Sequence, residues 1–208
     1  MRHTLVHLAL PFLATVACEP RVEEPVPPAR AAATSTAVAS SAAKTASPAA
    51  EKRCIRASPA APARTLPNGN AADPRCPNDP DVPPVLREGR VVFPDAKGLG
   101  VSVEIAEKTR DRTRGLMYRK HMPEDRGMIF RMDAREVHTF WMHNTCIPLD
   151  MLFIDEDGVI VGIEENVPTM DDSTFEVGCP SKYVLEMNAG WSRKNGVAAG
   201  QRVVLQGI

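Results

Sequence analysis

Val101-Ser102-Val103-Glu104-Ile105 alternates apolar and polar residues with period two. This is the pattern of a strand with one buried face. Met128-Ile129-Phe130 and Val137 to Met142 are further strand candidates. Met151-Leu152-Phe153-Ile154 is apolar on both sides and predicts a strand covered on both faces. Asp155-Glu156-Asp157-Gly158 then separates it from Val159-Ile160-Val161-Gly162-Ile163. Asp-Gly between two apolar runs predicts a hairpin, because its turn needs residues that tolerate positive φ. Tyr183 to Met187 and Val203-Val204-Leu205 complete the strands. A single helix is expected over about 108–121, with Arg110, Arg114, Met117 and His121 on one face. Many short strands and one helix predict a mainly β fold, a jelly-roll-like sandwich or a partly closed barrel.

The pattern stops abruptly upstream. Of the ten aromatic residues only Phe12 precedes Phe93, and 13 of 19 prolines lie between Pro20 and Pro84. Such a stretch has too little apolar surface to offset the entropy of ordering it. We read residues 18–84 as an Ala/Pro-rich disordered linker and 85–208 as the folded domain. At the start, a polar Arg2-His3 precedes the apolar run Leu5–Ala17, and Thr15-Val16-Ala17-Cys18 follows the form of a bacterial lipoprotein signal. Residues 1–17 are then a signal peptide and Cys18 the lipidated N-terminus; an ordinary secretory signal cut near Ala17 is the alternative. The expected location is the bacterial cell envelope, anchored through lipid. If the source is Gram-negative, Glu19 in place of Asp leans towards the outer membrane, facing the periplasm.

A net charge of −1 gives no basic excess, so nucleic acid is not an expected partner. No apolar run approaches the ~20 residues of a membrane span. Setting Cys18 aside leaves Cys54, Cys76, Cys146 and Cys179, an even set in an oxidising compartment. Of three connectivities, the segregated one is simplest: Cys54 with Cys76 in the linker, and Cys146 with Cys179 in the domain.

Four segments then fall into a known order: Arg114-Gly115-Leu116-Met117, Phe140-Trp141-Met142-His143-Asn144-Thr145, Ile147-Pro148-Leu149-Asp150-Met151, and Tyr183-Val184-Leu185-Glu186 with Asn188-Ala189-Gly190. Over about 90–207 the chain resembles the bacterial and archaeal family called domain of unknown function 192. The resemblance implies a compact, mainly β, jelly-roll-like domain with one helix. It implies no activity.

The chemistry turns on charges set in apolar runs. Asp150 shares a strand face with Leu152 and Ile154, and Glu186 lies between Leu185 and Met187. A buried lone carboxylate is costly, so each needs a cation or a wet cleft. Arg114 is the patterned cation, and we expect it to pair with Asp150, Glu186 or both in a structural network. The functional alternative is a ligand pocket built from Arg114, Trp141, Asn144, Asp150 and Glu186. A third reading makes Asp150 and Glu186 the acid/base pair of a glycan-directed envelope hydrolase. No catalytic residue, cofactor or metal site is assigned. His138 and His143 fall on opposite strand faces, Asp155-x-Asp157-Gly158 does not keep calcium-loop spacing, and Cys146 near His143 reads as a bridged thiol rather than a nucleophile. The leading expectation is a noncatalytic, lipid-anchored module that binds an envelope protein, a glycan or a small molecule.

Overall fold

The computed structural model describes residues 53–66 and 68–208. The expected signal peptide, the expected lipidation site Cys18 and the first part of the expected linker lie outside these residues. The described elements are β1 (Glu88–Phe93), β2 (Leu99–Ala106), α1 (Thr109–Arg114), β3 (Arg126–Glu136), β4 (Leu149–Ile154), β5 (Ile160–Val167), β6 (Ser181–Asn188), α2 (Trp191–Lys194) and β7 (Val204–Gln206).

The seven strands form one sheet in the order β5-β4-β6-β3-β2-β1-β7. All neighbours run antiparallel except β2 and β3, which are parallel. Strand parity sorts the side chains into two cores. Val103, Ile105, Leu152, Ile154, Leu185 and Met187 point to one side, where Trp191 packs on Phe93 at 5.1 Å between ring centroids. Met128, Phe130, Met151, Phe153 and Val184 point to the other. Just outside β5 and β7, the edge strands, the bridge Val159↔Arg202 joins their chains. The sheet thus curls around its first core without closing its ladder, the partly closed barrel form of the mainly β expectation.

Both cores explain β4. It lies between β5 and β6, and all six of its residues are buried. The Asp155–Gly158 turn joins it to antiparallel β5 as the sequence predicts, with Gly158 at φ +84°. Other elements differ from expectation. The helix ends at Arg114, seven residues early, because Gly115 turns to φ +49° and the chain leaves as an extended segment. Met117 then bridges Thr145. His121 consequently shares no helix face with Arg114. Residues 137–142 form no strand; Phe140 makes only an isolated bridge to Phe175. A second, one-turn helix, α2, was not expected from sequence.

The described residues of 53–84 carry no regular element, yet they run along the domain as a strap. The bridges are Cys54–Cys179 and Cys76–Cys146, each tying the strap to the domain. All four expected cysteines are used, but the segregated pairing is corrected. Cys54 and Cys76 bind different loops of the domain rather than each other. Between the bridges, the strap supplies charge to the sheet edge. Arg56 and Arg64 pair with the buried Glu164, and Arg64 lies over the Phe175 ring at 5.1 Å. Asp73 donates its backbone N–H to the Cys146 carbonyl at 2.8 Å and accepts the Thr169 hydroxyl at 2.8 Å.

Candidate functional site

The two carboxylates embedded in apolar strands have opposite fates. Register sets Met151 directly across from Glu186, with Asp150 across from Met187. Because successive side chains alternate between faces, Asp150 and Glu186 project to opposite sides of the sheet. They cannot act on one bond, and the acid/base pair expected for a hydrolase does not form.

Asp150 is fully buried and wholly engaged by main chain. Its Oδ1 accepts N–H groups of Asn166 and Gly190, both at 3.0 Å, and its Oδ2 accepts that of Ser192 at 2.9 Å. These bonds fasten the β5 bend at Asn166 (φ +52°) and the turn into α2, where Gly190 has φ +76°. Asp150 is a strut for two left-handed backbone positions and contacts no cleft. The expected Arg114–Asp150 and Arg114–Glu186 pairs are corrected as well. Arg114 instead hydrogen-bonds Asp79 of the strap and lies 3.8 Å from Asp81. Its guanidinium also sits 5.4 Å from the centre of the Tyr118 ring.

Glu186 is 4% exposed and accepts no hydrogen bond from any described side chain or loop amide. It sits in the row Glu104–Met128–Glu186–Met151 across β2, β3, β6 and β4. Arg119 is the cation that attracts it, but that guanidinium is already held by Glu104 through two bonds of 2.5 Å. Burial therefore dominates and pushes the Glu186 carboxyl up to about 8, against the pull of Arg119. At neutral pH the side chain is an uncharged acid with one O–H donor and one free acceptor.

Glu186 does not face a dry core. It lines a narrow cleft of about 30 Å³ together with Arg114, Gly115, Phe130, Trp141 and Thr145. That volume suits one or two waters or one small polar group. Gly115 is required on the wall: a Cβ there would approach Phe130 to 3.1 Å, in addition to the strain of positive φ. Gly127 is required beneath it, because a Cβ would meet the Glu186 carbonyl oxygen at 2.7 Å and block the approach of β3 to β6. The aromatic wall is rigid. Phe130 and Phe140 meet edge-to-face at 5.0 Å, and Phe140 meets Phe153 at 6.1 Å. Trp141, 48% exposed, stacks on His143 at 4.9 Å, and His143 contacts Asp172 at 2.7 Å.

Of the five residues expected to bind ligand, Arg114, Trp141 and Glu186 line this cleft and Asp150 does not. Asn144 stands behind it. At φ +53°, its amide donates to the Tyr118 hydroxyl at 3.0 Å, and its carbonyl accepts the Tyr118 N–H at 2.8 Å. It thereby holds the ring against which Arg114 rests. Sequence reasoning missed Thr145, Phe130 and Gly115 as lining residues. The signals were present in the Arg-Gly-Leu-Met and Asn-Thr motifs, whose backbones meet at the Met117↔Thr145 bridge. The remaining histidine of interest, His138, contacts the Ala134 carbonyl at 3.2 Å. No group of three or more His, Cys, Asp or Glu residues suited to a metal occurs among the described residues.

This fold occurs elsewhere. A solved structure from Sinorhizobium meliloti 1021, described only as a candidate transcription regulator, is 37% identical and superposes with a TM-score of 0.57. The match covers 60% of this chain and 98% of that one. A protein of unknown function from Novosphingobium aromaticivorans DSM 12444 is 30% identical, with a TM-score of 0.54, over 65% of this chain and 99% of that one. No curated protein matches. The sequence profile of domain of unknown function 192, described as an uncharacterized ACR, matches residues 91–205, which contain every residue of the cleft. The strap lies outside that match, and the chain belongs to the domain of unknown function 192 family.

Proposed function

We propose that this protein is a noncatalytic binding module, held in the cell envelope by a lipid on Cys18, whose ligand seats a polar group on Glu186. One observation carries the binding reading. A buried acid with no hydrogen-bond partner among the described side chains opens onto a cleft whose mouth carries an exposed tryptophan. Buried polar groups are ordinarily satisfied within the protein, and an acid whose oxygens find partners only through an opening is open to water or a ligand. Asp150, the second carboxylate of the hydrolase reading, projects to the other face of the sheet from Glu186, which favours binding over that reading. Two disulfides indicate an oxidising environment, in keeping with export. The Thr15-Val16-Ala17-Cys18 sequence and a long Ala/Pro-rich segment suit a tethered domain.

The anchor is tested by fractionation: Cys18→Ser should move the protein from detergent-dependent to soluble envelope fractions, and unchanged partition contradicts lipidation. The cleft is tested by following the Trp141 indole N–H resonance while adding acetamide, acetate or methanol. A saturable shift with any of them that is lost in Glu186→Leu supports the reading. No shift with all three, or a shift that survives Glu186→Leu, overturns it.

A further inference from the structure

β5 ends the sheet, and the outer edge of such a strand presents backbone groups open to pairing with another segment. The strap crosses that edge between Arg53 and Leu66. We propose that the edge is a docking site for an extended, arginine-bearing polypeptide segment, and that the strap fills it in cis until the Cys54–Cys179 bridge is reduced. The site is separate from the Glu186 cleft and does not depend on the binding reading above.

The seated strap shows what the edge recognises. The Arg56 N–H donates to the Val161 carbonyl at 2.8 Å, a main-chain bond of the kind that adds a strand to a sheet. Further along, Arg64 donates to the Glu165 carbonyl at 3.1 Å, and its own carbonyl accepts the Asn166 side-chain amide at 2.8 Å. Both guanidiniums converge on one acid: Arg56 bonds Oε1 of Glu164 and Arg64 bonds Oε2. Glu164 is buried, and among the described residues both cations that pair with it come from the strap. Without them its charge would be uncompensated. The neighbouring acids differ. Arg53 approaches Asp155 and Asp157, but these also pair with Arg135 and Arg202 of the domain, and Glu165 pairs with Arg193. Glu164 is therefore the acid that calls for a second chain segment. The edge lies inside the family match and the strap lies outside it.

The cover is held by polar contacts and one accessible bridge. None of the described residues of 53–66 packs into either apolar core. Cys54 is exposed, whereas in the other bridge Cys76 is half-buried and Cys146 fully buried. Thiol–disulfide exchange needs access to a sulfur, so a dithiol reductant reaches Cys54–Cys179 first. One of its thiolates attacks the Cys54 sulfur, the bond to Cys179 breaks, and Cys179 leaves as a thiolate that takes up a proton. The second thiol resolves the mixed disulfide, so the protein gains two electrons and two protons and the dithiol becomes a disulfide. Cys76–Cys146 then keeps the rest of the strap on the domain while the segment around Arg56 and Arg64 leaves β5.

The first test titrates the full chain with dithiothreitol, blocks free thiols with iodoacetamide and maps them. Cys54 and Cys179 should be alkylated at concentrations that leave Cys76–Cys146 intact. Trypsin should then cleave after Arg56 and Arg64, which resist it in the bridged protein. Simultaneous loss of both bridges, or reduction without new cleavage, would overturn the gate. The second test follows the fluorescence anisotropy of a labelled peptide copying residues 53–66, with serine in place of Cys54. Its target combines Cys54→Ser, Cys179→Ser, Arg56→Gln and Arg64→Gln, so that its own strap lacks the bridge and both cations, and its melting confirms a folded domain. Wild type cleaved after Arg64 in the first test is a second target should that variant not fold. The peptide should bind the loosened chain at least about ten-fold more tightly than the bridged chain, whose tethered strap competes at high effective concentration. Adding Glu164→Gln should weaken binding, and a peptide with glutamine at both arginine positions should not bind. No binding to the loosened chain, or equal binding by the glutamine peptide, would remove the docking edge. Equal affinity for bridged and loosened chains would contradict a strap that covers it.

Discussion

Glu186→Gln should make this protein more stable at neutral pH, not less. The folded acid keeps its proton up to about pH 8, against an ordinary value of 4.5 in the unfolded chain. Between these values the unfolded state has released a proton that the folded state still holds, so stability falls as pH rises from 4.5 to 8. Below 4.5 both states are protonated, and above 8 both are ionised, so the cost is absent at the acid end and constant at the alkaline end. At pH 7 it reaches about 3 kcal/mol, from ~1.4 kcal/mol per pH unit. Glutamine matches the neutral acid in shape but brings two N–H donors where the acid has one O–H, which returns part of the gain. The variant should gain about 1–3 kcal/mol at pH 7, or ~2–4 °C of Tm per kcal/mol for a domain of this size. Paired melts from pH 4 to 9 measure it. The difference should be near zero at pH 4 and grow towards pH 8. A variant that melts below wild type at pH 7, or a difference independent of pH, would refute the reasoning. A stabilising change at a single buried position marks a residue held for function at the expense of stability.

Asp150 should behave in the opposite way. Asp150→Ala leaves the N–H groups of Asn166, Gly190 and Ser192 without an acceptor, at ~1–3 kcal/mol each, and should be severely destabilised in urea melts. Asp150→Asn, with its oxygen in the Oδ1 position, keeps two of the three bonds and should lose less. Peptide mapping without reductant should recover the Cys54–Cys179 and Cys76–Cys146 links; a Cys54–Cys76 peptide would contradict the strap. Gly127→Ala should destabilise by pushing β3 from β6 at the Glu186 carbonyl, read as a lowered Tm.

The mainly β class, the β4–β5 hairpin and the central strands were legible because period-two patterning and Asp-Gly turns are local signals. The helix was read too long because Arg114, Met117 and His121 have helical spacing, while the break depends on Gly115 adopting positive φ where two chain segments meet. Strand parity held enough information to separate Asp150 from Glu186 once their strands were paired. The register of β4 on β6 comes from the packed sheet, so the two acids looked like a pair. The Arg114 partner was misread for a different reason. Asp79 lies in a Pro-rich stretch that reads as linker, and its order comes from two long-range disulfides and the Arg56 and Arg64 ion pairs with Glu164. Arg114, Trp141 and Glu186, which line the cleft, stand out in the sequence because a charge in an apolar run and an aromatic in a polar motif are visible without tertiary knowledge.

The protonation state of Glu186 joins the fold, the cleft and the proposed binding function. It is measured directly by ¹³C NMR of the side-chain carboxyl carbons of glutamate-labelled protein, with Glu186→Gln identifying the signal. This carbon should show a neutral acid at pH 7 and titrate with a midpoint near 8. A midpoint near 4.5 would mean that the cleft holds a carboxylate of its own at neutral pH, which contradicts an uncharged Glu186.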